Sequence, residues 1–366
     1  MLSALVGHPV AELDTPALVI DIDAMDRNIA RIAGALRDAG VQWRPHAKGH
    51  NTPAIAHRQL AAGAIGVTCA KLGAAEVMAA SGIRDILVAN QIVGPIKTRR
   101  LGALLASSGA DVAVAVDDAC ALDALDAAGA EFGVKPRIVI EVETGMSRAG
   151  AAAGAPTVAL AQEIARRKHL RFAGVMAWEG HAVSIPDRVE RIPAIERAVG
   201  LLTETAAAIR DAGLPVEIVS CGGSGTYLTT SQLPGVTEVQ AGGATLGDGF
   251  YRELDAPVEP ALTLLTQVTS RPAPDRIIID AGRKSIDPSL RPPFAPDLVG
   301  VTGMGFSAEH GTIRLDRPNR DLRPGDRLAL QVGYHDQAVH LHEALYAVRD
   351  GVIVAVWPTL ARGKLN

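Results

Sequence analysis

Arg44-Pro45-His46-Ala47-Lys48-Gly49-His50 sets one lysine among two histidines and an arginine, where an apolar segment ends and a helix-like one begins. A lysine crowded by cations and pressed against apolar surface shifts toward its neutral, nucleophilic form, which imine chemistry with an aldehyde cofactor requires. Alone, the same letters also read as a surface loop of ordinary basic residues. Gly222-Gly223-Ser224-Gly225-Thr226 is a second candidate, because its backbone N–H groups can turn toward an anion while Ser224 and Thr226 add hydroxyls. A plain tight turn is the other reading. Gln240-Ala241-Gly242-Gly243 follows soon after and could close over the same anion. Two such turns point to a phosphorylated cofactor, and a lysine beside them makes pyridoxal 5'-phosphate the natural candidate.

Joint action needs a fold that gathers these stretches. From Thr15 onward, short β-branched runs alternate with Ala-rich segments of helical period. Strands are expected at Ala17 to Asp21, Val41 to Arg44, Ile65 to Cys69, Asp85 to Ala89, Asp111 to Val116, Arg137 to Val142, Arg171 to Met176 and Val216 to Ser220. Helices lie between them, among them Ile22 to Ala39, Pro53 to Ala62 and a long one from Asp187 to Ala212. Such units fit a (β/α)8 TIM-type barrel over residues 1–255 better than a doubly wound open sheet.

After Ala256 prolines cluster at Pro292, Pro293 and Pro296, and the segments become strand-like. Strands are expected at Ala261 to Thr269, Arg276 to Ile279, Leu298 to Val301, Arg327 to Val332, Ala344 to Arg349 and Val352 to Val356, with Asp350-Gly351 as a hairpin turn. The expectation is therefore an α/β chain, an N-terminal barrel followed by a C-terminal all-β domain at residues 256–366.

In a parallel barrel the active site lies at the C-terminal ends of the strands. The second expected strand leads into His46 and Lys48, the sixth into Glu141 to Arg148, the seventh into Trp178-Glu179-Gly180-His181, and the eighth into Cys221 to Thr226. Titratable and glycine-rich stretches thus converge on one rim, a stronger signal than any one of them.

Composition narrows the classes. At 366 residues, 48% hydrophobic and 21% charged, the chain easily builds a core, and an aromatic share of 3% makes that core aliphatic, as in helix-covered parallel sheets. The net charge of -4 gives no reason to expect a nucleic-acid partner. Cys69, Cys120 and Cys221, odd in number and far apart, suit reduced thiols in a cytoplasmic protein. The N-terminus does not read as a secretory leader, and no run of about 20 apolar residues stands out, so no membrane partner is expected.

Several stretches together resemble one family. Arg44-Pro45-His46-Ala47-Lys48 with Thr144-Gly145-Met146-Ser147-Arg148-Ala149-Gly150 resembles the alanine-racemase-like fold of pyridoxal-phosphate enzymes. Met176-Ala177-Trp178-Glu179-Gly180-His181, Ile279-Asp280-Ala281-Gly282, Ser307-Ala308-Glu309-His310-Gly311, Trp357-Pro358 and Ala361-Arg362-Gly363 make it most similar to the D-threonine aldolase and D-serine dehydratase family. The resemblance implies a homodimer with the cofactor on Lys48 and His46 as its packing neighbour. It also implies Arg148 near the cofactor's phenolic oxygen, and the phosphate held by the turns containing Ser224, Gly225, Thr226, Gly242 and Gly243. Gln240 stands where alanine racemases put an arginine against the pyridine nitrogen. A neutral partner weakens the electron sink, which makes racemisation less favourable.

The family also carries a His-x-Asp or His-x-Cys metal pair. Here Tyr334 occupies the histidine position, Asp336 is retained, and His335 is the candidate substitute. His340 and His342 would share Asp336's side if the strand continued. With Asp336, magnesium or manganese would fit better than thiolate-selected zinc.

The implied activity is retro-aldol cleavage of a D-configured β-hydroxy-α-amino acid by Lys48, with His181, Tyr334 and Asp336 or a metal acting at the β-hydroxyl. The alternative is β-elimination to a keto acid and ammonia, and a non-catalytic pyridoxal-phosphate carrier is a third reading that the added β-domain disfavours. Arg283, Lys284 and Arg291 read as solvated charge or as contacts to a substrate carboxylate.

Overall fold

The computed structural model describes residues 2–254 and 256–366, so the domain boundary expected at residue 255 falls outside the described residues. The strands in chain order are β1 (Ala17–Asp21), β2 (Gln42–Trp43), β3 (Val67–Cys69), β4 (Asp85–Gln91), β5 (Asp111–Val116), β6 (Arg137–Glu143), β7 (Ala151–Ala152), β8 (Arg171–Met176), β9 (Ile218–Cys221) and β10 (Glu238–Val239). They continue as β11 (Leu262–Ala273), β12 (Arg276–Ile279), β13 (Val301–Phe306), β14 (Gly311–Leu315), β15 (Arg327–Gln331), β16 (Ala344–Arg349) and β17 (Val352–Pro358). By compactness the chain divides into a barrel unit of residues 31–48, 55–242 and 363–366, and a β-rich unit of residues 1–30, 49–54 and 243–362.

In the barrel unit, β2, β10, β9, β8, β6, β5, β4 and β3 lie side by side in that order, all parallel. Past the end of β2, the Ala47 N–H donates to Thr68 O at 2.7 Å and the Thr68 N–H to Pro45 O at 2.8 Å, which closes the set. Helices link the strands and end where the sequence lets them. Pro95–Ser108 starts on a proline and stops at Gly109 with φ of 65°, a left-handed cap that glycine adopts without strain. Leu87, Ala113, Ala115, Val139, Ala173, Met176 and Ile218 form one buried cluster. Its alanines fit the confined interior of a barrel, as the aliphatic composition implied.

The first expected barrel strand belongs elsewhere. β1 lies in the β-rich unit, antiparallel to β11 and parallel to β16. Its run Ala-Leu-Val-Ile is buried at every position, and an apolar run without alternation does not say which sheet takes it. The eighth barrel strand is instead β10, whose two residues are too short for any periodicity to register.

The second sheet runs β13-β14-β12-β11-β1-β16-β17, with β15 also paired to β11. β13 begins at Val301, where the expected strand ended, and β14 was not expected at all; Gly303, Gly305 and Gly311 dilute the strand signal there. Beyond β15 the expected strand through Tyr334 and His342 is a helix, His335–His340. Its first N–H is capped by Asp248, a residue far away in sequence. Among the described residues no helix is long and apolar enough to cross a membrane, and Cys69, Cys120 and Cys221 are all free thiols.

Candidate active site

The two ends of the barrel differ in chemistry. At the starts of β4, β6 and β10 stand Asp85, Arg137 and Glu238. Arg44, 2% exposed, donates from Nε to Glu238 Oε1 at 2.9 Å and from Nη1 to Asp85 Oδ1 at 2.8 Å. Arg137 pairs with the same Asp85. Burial works against the Arg44 charge, but Glu238 and Asp85 outweigh it and raise its pKa. Burial likewise works against the Asp85 charge, yet Arg44 and Arg137 hold that carboxyl below the usual range. Arg44 is therefore part of a buried ionic network away from the rim.

At the rim, the loop after β2 presents Lys48 on an exposed side chain. The Lys48 N–H donates to His46 Nδ1 at 3.3 Å, and a Cβ on Gly242 would meet His46 O at 2.2 Å. His46 braces the turn, as a packing neighbour would. In the β-rich unit, buried His50 accepts the Thr52 N–H on Nδ1 at 3.1 Å. A ring nitrogen that accepts an N–H carries no proton. The expected lysine, crowded by cations and pressed on apolar surface, is thus replaced by an exposed one on a braced turn.

β9 ends at Cys221, and Gly222 follows with φ of 76°. A Cβ on Gly223 would sit 2.4 Å from the Trp178 ring, so only glycine lets this turn lie on the indole. Glu179, 1% exposed, fixes the turn from beneath. Its Oε1 accepts the hydroxyls of Thr226 and Thr230, both at 2.7 Å, and its Oε2 accepts the Gly222 N–H at 3.2 Å. The Thr226 hydroxyl, expected to face a phosphate, donates to Glu179 instead. The N–H groups of Gly225 and Gly242 make no hydrogen bond among the described residues, which leaves them for a ligand. Buried Ser224 lies in the same turn. Gly243 opens the short helix Gly243–Leu246 of the β-rich unit, where a Cβ would meet the Tyr251 hydroxyl at 2.5 Å. Sequence reasoning counted Glu179 as one more titratable rim residue and missed its role, for which its place two residues before His181 is no signal.

Arg148 donates to buried Glu141 at 3.1 Å, and the other Glu141 oxygen takes the Gln91 amide at 2.6 Å. Glu143 is held below the usual carboxylate range. Burial opposes that charge, but the backbone N–H groups of Ser147, Gly145, Arg148 and Met146 outweigh it. The Gln240 amide donates to Ser220 Oγ at 2.9 Å. His181 Nε2 is the atom a Cβ on Gly145 would meet at 2.8 Å, while its buried Nδ1 has no hydrogen-bond partner among the described residues. Lys48, His46, Arg148, Gln240, His181 and the Gly222 turn are thus all in the barrel unit, each beside the residues that position it.

Tyr334, His335 and Asp336 belong to the β-rich unit. Asp248 caps the helix Gly249–Glu253 by accepting the Tyr251 N–H at 3.0 Å, and its other oxygen faces His335 Nδ1 at 2.5 Å. His335 Nε2 lies 3.2 Å from Asp336 Oδ1. Burial first, then the charges of Asp336 and Asp248 and a hydrogen bond to Asp336, push the Tyr334 phenol well above its usual pKa. A phenol held protonated donates; it is no base. His342 donates from Nε2 to Ser285 O at 2.7 Å, and Lys284 and Arg291 pair with Glu309 and Glu253. Among the described residues no group of three or more His, Cys, Asp or Glu side chains is placed to hold an ion. Both ring nitrogens of His335 face carboxylates, so His335 does not fit as the substitute ligand beside Asp336.

A closed parallel barrel whose strand ends carry a lysine and a ligand-ready glycine turn, in a chain that continues into a β-rich unit, defines an alanine-racemase-like protein. A family model described as alanine racemase, N-terminal domain, matches residues 20–249, and one described as putative serine dehydratase domain matches residues 261–348. D-threonine aldolase from an Arthrobacter species is 35% identical over 98% of this chain and 95% of its own. 3-hydroxy-D-aspartate aldolase of Paracoccus denitrificans is 33% identical over 99% and 95%. The crystal structure of D-threonine aldolase from Filomicrobium marinum superposes with a TM-score of 0.94 at 34% identity, covering 98% of both chains. The chain belongs to the D-threonine aldolase and D-serine dehydratase family.

Proposed function

We propose that this chain is a pyridoxal-phosphate-dependent lyase that cleaves D-configured β-hydroxy-α-amino acids, D-threonine among them, to glycine or an α-substituted analogue plus an aldehyde. The observation that carries the reading is the barrel rim, where a lysine on a braced turn shares the strand ends with backbone N–H groups that no acceptor among the described residues uses. These residues fit the cofactor. The Gly222 turn and the Gly242 turn would hold its phosphate, Lys48 its aldehyde carbon, and Arg148 would face its phenolic oxygen. Gln240 would be the neutral partner of its ring nitrogen, which ranks racemisation low. When bound, the group withdraws electrons from the bonds to the amino acid's α-carbon. His181, in the loop after β8, is the residue of the rim whose imidazole is suited in type to take the β-hydroxyl proton. Relatives named for aldolase activity on D-threonine and 3-hydroxy-D-aspartate support the substrate class. A homodimer and a cytoplasmic location belong to the same proposal, and sedimentation of the holoenzyme tests the first. Magnesium, manganese or zinc has no part in it, because the donor set at His335 and Asp336 does not fit an ion.

An absorbance band near the visible edge that borohydride abolishes and Lys48→Ala lacks tests the cofactor. Incubation with D-threonine, read as glycine plus aldehyde, tests the reaction. The match of residues 261–348 to a serine dehydratase domain favours a second reading, β-elimination. Keto acid and ammonia from D-threonine or D-serine, with no glycine, would establish it in place of the first.

A further inference from the structure

The residues expected to hold a metal form a closed set instead. A histidine ligates an ion through a ring lone pair. In His335 one nitrogen faces Asp248 at 2.5 Å and the other faces Asp336 at 3.2 Å, and the side chain is 1% exposed. Neither ring nitrogen is directed at open space, so whichever carries the lone pair faces a carboxylate. Tyr334 stands at the position of the family's first ligand, and a phenol is a poorer ion donor than the imidazole it replaces. The Asp336 carboxylate already meets an imidazole. Asp248 is no more available, since its oxygens take the Tyr251 N–H, the His335 N–H and the His335 ring.

Gly49 closes the remaining approach. A Cβ built on it would lie 2.2 Å from His335 Nε2 and 2.8 Å from Asp336 Oδ1. An ion shared by that nitrogen and that oxygen would have to enter the space Gly49 already presses into. Tyr334 is packed as well, its ring 5.4 Å from that of Phe250 in an edge contact.

We infer that this chain binds no divalent metal at Tyr334-His335-Asp336 and turns over without one; the Asp248–His335–Asp336 set is a brace that seats Gly49, the residue after Lys48. The statement about turnover rests on the proposed lyase reading. The statement about binding does not.

The test strips the holoenzyme with EDTA and follows Mn2+ uptake, by loss of the free-ion EPR signal, in the wild type and in Asp336→Asn. The expected result is no difference in uptake between the two, and no loss of D-threonine turnover in wild type on EDTA treatment. One equivalent of Mn2+ taken up by wild type and lost in Asp336→Asn would overturn the inference. Turnover abolished by EDTA and restored by Mn2+, Mg2+ or Zn2+ would overturn it equally, and needs no variant. If D-threonine is not a substrate, or the borohydride-sensitive band is missing, the lyase reading fails while the uptake comparison still decides the metal question.

Discussion

The starts and the ends of the barrel strands are both lined with polar side chains, yet they are built on opposite rules. At the starts, every charge of the Arg44, Asp85, Arg137 and Glu238 network meets an opposite charge, and the group is largely buried. At the ends, Glu179 and His46 hold the backbone in shape, while the N–H groups of Gly225 and Gly242 have no partner among the described residues. Paired buried charges specify a fold, and removing one partner is costly because the other is stranded. Unpaired groups on a fixed frame are what a ligand needs. The contrast separates residues that look alike in sequence: Arg44 and Lys48 are four positions apart and serve opposite ends.

Four measurements put pressure on that contrast. Lys48→Ala should lower turnover by roughly 10³-fold or more while leaving the denaturation midpoint near wild type, because an exposed side chain adds little to the fold. A variant that keeps a tenth of its activity would remove Lys48 from the chemistry. Arg44→Ala should do the reverse, destabilising the protein by about 3–5 kcal/mol in chemical denaturation, since Glu238 would be left buried without its cation. A cost below about 1 kcal/mol would mean that the network is decoration on a barrel held by its apolar core.

Glu179→Gln should weaken pyridoxal-phosphate affinity by about tenfold, the effect of roughly one misplaced hydrogen bond. An amide cannot accept on both of its atoms, so either the Gly222 N–H or the threonine hydroxyls lose their acceptor. Cofactor titration by fluorescence reads this directly. An unchanged dissociation constant would reduce Glu179 to a buried structural carboxylate. The smallest effect is acid sensitivity. The folded pKa of Asp85 lies below its unfolded value, so its contribution is complete above about pH 4 and is lost as pH falls through the folded value. Denaturation midpoints of wild type should therefore fall on acidification more steeply than those of Asp85→Asn, and parallel curves would contradict the depressed pKa.

Much of the site was legible because its signals are local. A lysine following a short strand, a Gly-Gly-Ser-Gly-Thr turn, and Trp-Glu-Gly-His after another strand each carry their meaning within a few residues. The misses are of another kind. Thr226 reads as a phosphate donor until Glu179 is seen to take its hydroxyl, and Glu179 is 47 positions away. Tyr334 to His342 reads as an alternating strand until Asp248, 87 positions from His335, caps it as a helix.

Composition and the repeated change from β-branched runs to alanine-rich ones were enough to determine an aliphatic parallel barrel followed by a β-rich unit, because burial periodicity is written into neighbouring residues. Which sheet received β1, which residues closed the barrel, and which carboxylates His335 faced were decided only in three dimensions. Each depends on partners brought together from distant segments, and a hydrogen bond or a close glycine contact leaves no trace in the spacing of either partner.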